Sequence, residues 1–223
     1  MNAIENIYSY IHRMLSKPQE RGEYSAGRWQ NKVRAEALNF CKDLKGRLLE
    51  VGCGEGLFLT ELALLNKEIE IYGIDKWPEI LKRAEERFEN AGLKKVKLIH
   101  ADAVSMPFED SYFDTVVCVN VIFNLPSKDI VKKALREISR VCKKNAKVIL
   151  DFRNRKNPLL YLKYKLAPYY DETVKNLPLR TYSLKEICLL AQESGFEVEN
   201  RIAAGSVMHI FKPIIILNLK KNN

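Results

Sequence analysis

The sequence predicts an α/β chain on a doubly wound, seven-stranded sheet, mostly parallel with an antiparallel last strand and preceded by a helical N-terminal flap. Three observations predict it. Short apolar runs alternate with helically spaced stretches from Leu48 onward, and strands separated by helices pair in parallel through right-handed crossovers. A glycine turn, Gly52-Cys53-Gly54-Glu55-Gly56, joins the first apolar run directly to a helix. The last two runs are separated by only about ten residues without a helical pattern, too few for a parallel crossover.

Taken in order, residues 2–16 carry Ile4, Ile7, Tyr8, Ile11 and Leu15 at helical spacing. A polar loop follows from Lys17 to Arg28, and a second helix runs from about Arg28 to Leu44, stopped by Gly46. These pieces make the flap, residues 1–45. Strand 1 is Leu48–Val51, and the helix beyond the glycines carries Leu57, Phe58, Leu62 and Leu65. Strand 2 is Ile69–Ile74, ending at Asp75; Pro78 opens the next helix and Gly92 stops it. Strand 3 is Val96–His100 and strand 4 is Thr115–Val119. Ser127 is placed to cap a long helix before strand 5, Lys147–Phe152, where a cofactor-binding core of residues 46–152 ends. Residues 153–182 form an insertion without a clear strand. Ser183 and Glu186 then have the spacing of a capping box, on a helix that ends at Ser194-Gly195. Strand 6, Phe196–Ile202, and strand 7, Ile214–Leu219, complete a single domain.

Composition bounds the function. The 223 residues are 47% hydrophobic and 29% charged, which suits one globular domain. A net charge of +9 fits an anionic substrate, RNA or a membrane face, and equally a surface of solvated lysines. The five cysteines (Cys41, Cys53, Cys118, Cys142, Cys188) lack paired spacing and read as reduced core thiols of a cytoplasmic protein, with no metal site. No signal peptide precedes the first helix, and the apolar run Pro213–Leu219 is far shorter than the ~20 residues of a bilayer span.

In an open parallel sheet, ligands bind beyond the carboxyl ends of the strands. Polar residues recur there: Glu50 and the glycines after strand 1, Asp75 after strand 2, Asp102 after strand 3 and Asn120 after strand 4. Glu50 at a glycine shelf suits an amine or another cation. Asp75 lies at about the distance beyond the glycines where an acid reaches ribose hydroxyls. A dinucleotide site wants G-x-G-x-x-G, but here Leu57 stands at the third glycine position.

The order Glu50-x-Gly52-x-Gly54-x-Gly56, Asp102 after strand 3 and the reversed last strand resemble the class I S-adenosylmethionine-dependent methyltransferases, in the branch of small-molecule and quinone methylases. The resemblance covers residues 46 to 220 and implies a Rossmann-like fold with S-adenosylmethionine as cofactor. It further implies that Glu50, Gly52, Cys53, Gly54 and Gly56 hold the methionine end, and that Asp75 accepts the ribose hydroxyls. Lys76 and Trp77 would flank the adenine, Asp102 and Ala103 would meet its amino group, and Asn120 would lie near the transferred methyl. Met106-Pro107-Phe108 and Phe113-Asp114 match the usual run into strand 4.

The chain departs from that pattern after strand 4. Many relatives have a histidine pair there, whereas this chain has Phe123-Asn124. His12, His209 and Asn120 are left as candidates for a catalytic role, and His100 reads as structural. On the acceptor side, Tyr24, Arg28, Trp29, Phe123, Arg153 and Tyr161 are the candidates. The stretch Arg153–Tyr170 has no acid and interleaves basic with aromatic residues. It could grip a carboxylate or phosphate, lie on an anionic membrane, contact RNA, or form an amphipathic lid with its lysines in water. The expected function is methyl transfer to a small or lipid-linked acceptor, anionic in one reading. An RNA methylase and a non-catalytic cofactor-binding regulator are the alternatives.

Overall fold

The computed structural model describes residues 28–170, 178–204 and 212–222. The helix expected over residues 2–16 lies outside them. The elements in chain order are α1 (Arg28–Cys41), β1 (Gly46–Val51), α2 (Leu57–Leu65), β2 (Ile69–Asp75), α3 (Pro78–Asn90), β3 (Lys97–His100) and β4 (Phe113–Cys118). A 3-10 turn (Ile122–Asn124), α4 (Lys128–Val141), β5 (Cys142–Arg153), α5 (Pro158–Tyr170), α6 (Leu184–Gln192), β6 (Phe196–Ala204) and β7 (Ile214–Lys221) follow.

The seven strands form one sheet in the order β3-β2-β1-β4-β5-β7-β6. Every pairing from β3 to β5 is parallel, while β7 runs antiparallel to both β5 and β6. The short link before β7 thus has the consequence expected of it. Strand order reverses between β1 and β4, and in open sheets of this kind the crevice beyond the carboxyl ends of the strands at such a switch point is where ligands bind.

Helices cover both faces. On one, Val33, Ala37 and Cys41 of α1 pack with Phe58, Leu59 and Leu62 of α2 and with Leu81, Ala84 and Phe88 of α3. On the other, Val131, Leu135 and Ile138 of α4 pack with Ile187 and Ala191 of α6 over Val116, Val148 and Leu150. Side chains alternate along a strand, so Glu50 shares the α1–α3 face with Leu48, Asp75 with Ile71, and Asp151 and Arg153 with Ile149.

Local signals settle the helix ends. Ser127 Oγ accepts from the Ile130 N–H at 3.3 Å. Ser183 and Glu186 form the full capping box, with bonds of 3.3 and 2.8 Å. Most strand ends move by one to three residues from expectation, and one moves further. β5 starts at Cys142 rather than Lys147, because Phe113 pairs with Cys142 before a register shift. The insertion after β5 contains α5, whose Leu160 is fully buried.

Candidate functional site

The turn after β1 is shaped by three left-handed glycines: Gly52 at φ 71°, Gly54 at φ 53° and Gly56 at φ 73°. Side chains at two of them would collide. A Cβ on Gly52 would come within 2.4 Å of Val121 Cγ2, and one on Gly56 within 2.7 Å of the Phe88 ring. The turn is tied to β2, since Gly52 and Cys53 both donate to the Ile74 carbonyl, at 2.8 and 2.9 Å.

Asp75 is fixed by the same turn. Gly54 N–H donates to its Oδ2 at 2.9 Å and Trp77 N–H to its Oδ1 at 3.0 Å. Each oxygen thereby keeps lone-pair capacity for a ligand hydroxyl. Burial pushes the Asp75 carboxyl above its ordinary range, with the Gly54, Trp77 and Lys76 N–H groups pulling the other way.

Glu50 is the most demanding group in the crevice. It is 4% exposed, and its Oε2 is buried without a hydrogen-bond partner. Burial first, and then the Asp75 charge, raise its pKa well above the ordinary value, against the pull of Arg34 on α1. A buried carboxyl oxygen with no donor calls for a positively charged hydrogen-bond donor.

Asp102 lies beyond β3. Its Oδ2 pairs with Lys76 Nζ at 2.9 Å and its Oδ1 accepts from Val104 N–H at 3.2 Å. Partial burial resists ionisation, but these contacts outweigh it and hold the carboxyl below its usual value. Ala103 sits in the turn closed by the Asp102–Ser105 bridge. The loop beyond is clamped to α4, where Glu137 accepts from Met106 N–H and Arg140 donates to the Met106 and Phe108 carbonyls. Trp77, 58% exposed, stands beside Asp75 with its indole open to solvent. His100 Nε2 lies 3.0 Å from the Lys76 carbonyl.

Past β4 the chain turns at Asn120, a non-glycine residue at φ 62°. A buried ionic cluster holds it there. Asp151 accepts the Asn120 N–H and pairs with Arg153. The Arg153 guanidinium also donates to Asn120 Oδ1 at 2.9 Å and to the Tyr164 hydroxyl of α5 at 3.0 Å. It lies 4.0 Å over the Phe123 ring, which stacks on Tyr164 with centroids 6.3 Å apart. Burial raises the Asp151 carboxyl above its ordinary range despite Arg153 and the Asn120 N–H, and burial likewise raises Tyr164 against the opposing Arg153 charge.

The candidates thus separate into two connected groups. Glu50, Gly52 to Gly56, Asp75, Lys76, Trp77, Asp102 and Ala103 line the ends of β1 to β3, while Asn120, Phe123 and Arg153 adjoin across β4 and β5. One expectation is corrected: Arg153 is not an open rim cation for an anionic acceptor, because it is 1% exposed and engaged by Asp151, Asn120 and Tyr164. His12, Tyr24 and His209 lie outside the described residues. Arg28 and Trp29 begin α1, and Tyr161 lies in α5.

Three residues escaped the sequence reading. Arg34 lies on a helix of mixed polar and basic residues, where a lone arginine does not mark its carboxylate neighbour. Tyr164 was one of several aromatics in the insertion. Asp151 had a usable signal, because Asp-x-Arg within a strand puts both charges on one face.

Comparison with known proteins adds an independent finding. A family described as a methyltransferase domain matches residues 49–150. The chain is 33% identical over 150 residues to a phosphatidylethanolamine N-methyltransferase of Cereibacter sphaeroides, covering 66% of this chain and 71% of that one. It is 34% identical over 137 residues to a demethylmenaquinone methyltransferase of Geobacillus stearothermophilus, covering 61% of this chain and 56% of that one. A SAM-dependent methyltransferase from Methanosarcina mazei shares the fold with a TM-score of 0.66 at 20% identity, over 83% of this chain and 96% of that one.

Proposed function

Because this chain belongs to the class I S-adenosylmethionine-dependent methyltransferases, we propose that it methylates a small or lipid-linked acceptor in the crevice between β1 and β4. The single observation that carries the donor assignment is the partnerless Glu50 Oε2 beside the left-handed glycine turn and Asp75. The residues present fit the cofactor. Glu50 offers a carboxyl to the methionine ammonium, and Asp75 keeps acceptor capacity for the ribose diol. Asp102 with Ala103 would meet the adenine amino group, and Trp77, with Lys76, would cover the base.

Bound S-adenosylmethionine supplies a methyl carbon already activated by its positive sulfur. What is left to the protein is alignment and exclusion of water. The glycine turn lets backbone approach the methionine end without Cβ interference. Asn120, fixed from both its N–H and its side chain, would sit at the transfer side with Phe123 and Tyr164 as an apolar wall. Residues 1–45 would complete the domain as a flap, with residues 153–182 as the acceptor-side insertion and residues 183–223 closing the sheet. Five free thiols are in keeping with a cytoplasmic site of action.

The acceptor reading draws on the relatives' names, which specify phosphatidylethanolamine and demethylmenaquinone. Incubation with methyl-labelled donor and, separately, phosphatidylethanolamine vesicles, demethylmenaquinone and bulk RNA tests it. Label is expected in an organic-extractable product. Label in RNA alone would replace the acceptor class, and calorimetry showing no donor binding would overturn the site itself.

A further inference from the structure

The helix α5 is apolar on two faces and buries only one. Leu160 is 0% exposed, and Tyr164 takes the Arg153 hydrogen bond while stacking on Phe123. That inner face ties α5 to the acceptor side of the crevice. The outward residues are different. Leu159 is 67% exposed, Leu162 53% and Tyr169 70%. With Leu166 they fall at i, i+3, i+7 and i+10, a single stripe along the helix.

Charge frames this stripe. Lys163 and Lys165 fall on its two edges by helical position, and exposed Lys156 stands just before the first turn. No acid occurs from Arg153 to Tyr170. An ordinary surface helix presents polar residues outward. An apolar stripe edged by lysines is instead the pattern of a helix lying in a bilayer interface, where apolar side chains enter the acyl boundary and the ammonium groups meet anionic headgroups. No described helix is long and apolar enough to cross a membrane.

We propose that the outer face of α5 docks the enzyme on the surface of an anionic lipid bilayer. The proposal concerns where the enzyme works and needs no particular acceptor. The residues that would touch lipid lie on the opposite side of the same helix from Tyr164, one contact away from Asn120 through Arg153. Docking therefore sets the membrane against the helix that walls the acceptor side.

Vesicle flotation of the full chain tests this without using methyl transfer as a readout. The probe is vesicles of equal phosphatidylglycerol and phosphatidylcholine, compared with phosphatidylcholine alone. The wild type is expected to float with the anionic vesicles and to be released by added salt. Lys156→Gln with Lys165→Gln should weaken partitioning roughly 25-fold, at roughly fivefold per basic residue. Leu159→Ser with Leu162→Ser should abolish it at either salt, and neither double variant should alter donor binding by calorimetry or the melting temperature. Absence of wild-type flotation at low salt would overturn the proposal. So would undiminished flotation of the Leu159→Ser/Leu162→Ser variant, or a light-scattering dimer of the wild type that this variant dissociates in place of any vesicle binding. A failed donor titration with intact flotation would instead sink the functional reading and leave the membrane surface standing.

Discussion

Replacing Arg153 by Met removes one half of a buried ion pair and leaves the other half in place. Asp151 is 0% exposed and Arg153 1%. The two compensate each other, and Arg153 also supplies the donors that satisfy Asn120 Oδ1 and the Tyr164 hydroxyl. Stranding a buried charge in this way costs about 3–5 kcal/mol. At 2–4 °C per kcal/mol for a chain of this size, the melting temperature should drop by roughly 10 °C. The loss has a pH signature. Burial holds the folded Asp151 carboxyl above its ordinary value even with Arg153 present, and without Arg153 it must rise further. A folded carboxyl that binds its proton more tightly than the unfolded one destabilises the fold increasingly as pH rises from the ordinary carboxylate range toward the raised value. The deficit of Arg153→Met should therefore be largest at neutral pH and shrink on acidification. Asp151→Asn, which keeps an acceptor for the Asn120 N–H, should rescue much of the stability when combined with Arg153→Met. Urea unfolding at pH 7, 6 and 5 with a double-mutant cycle measures all of this. A loss below about 1 kcal/mol at pH 7, or one that does not vary with pH, would refute the reasoning, because only a surface-like pair behaves so.

Donor binding should tighten with rising pH. Glu50 holds its proton above the ordinary carboxylate range, so ammonium binding must release that proton, which calorimetry in buffers of different ionisation enthalpy reads directly. Glu50→Gln should weaken donor affinity by roughly 10- to 100-fold, as expected for loss of a charge-assisted hydrogen bond. Asp102→Asn should cost less than about 1 kcal/mol of stability, since its partner Lys76 is well exposed, while still weakening donor binding. Gly52→Ala combines a left-handed φ with a 2.4 Å contact to Val121 and should cost about 1–3 kcal/mol in denaturant titration. Thiol titration of the native chain at pH 8 should register Cys188 alone promptly, because Cys41, Cys53, Cys118 and Cys142 are buried, with the Cys41 and Cys142 thiols pushed up to about 12.

Much of the fold was legible because local chemistry and long-range order agree here. The glycine turn, the Ser127 cap and the Ser183–Glu186 box are short-range signals, and each forms the contact its residues imply. The reversal of β7 followed from chain length alone. The early start of β5 was not legible. Lys143, Lys144 and Asn145 lack the apolar pattern of a strand, and Asn145 has φ 61°, yet pairing of Cys142 with Phe113 draws the segment into the sheet. Tertiary context of that kind overrides local propensity.

The site divides along the same line. Acids at the tips of adjacent strands are one-dimensional information, so Glu50, Asp75 and Asp102 could be found by counting from strand ends. Whether a basic side chain is spent inside or offered outside is decided by its three-dimensional neighbours. Arg153 and Lys165 stand twelve residues apart in the same basic stretch. One neutralises Asp151 within the fold, and the other is open to solvent on α5. The positive charge of the insertion is therefore not a single device. Its first residue fixes the turn at Asn120 after β4, and its later lysines edge an apolar surface. Substitutions along it should separate accordingly: at Arg153 stability and turnover fall together, while at Lys156 and Lys165 the fold is spared and vesicle partitioning is weakened.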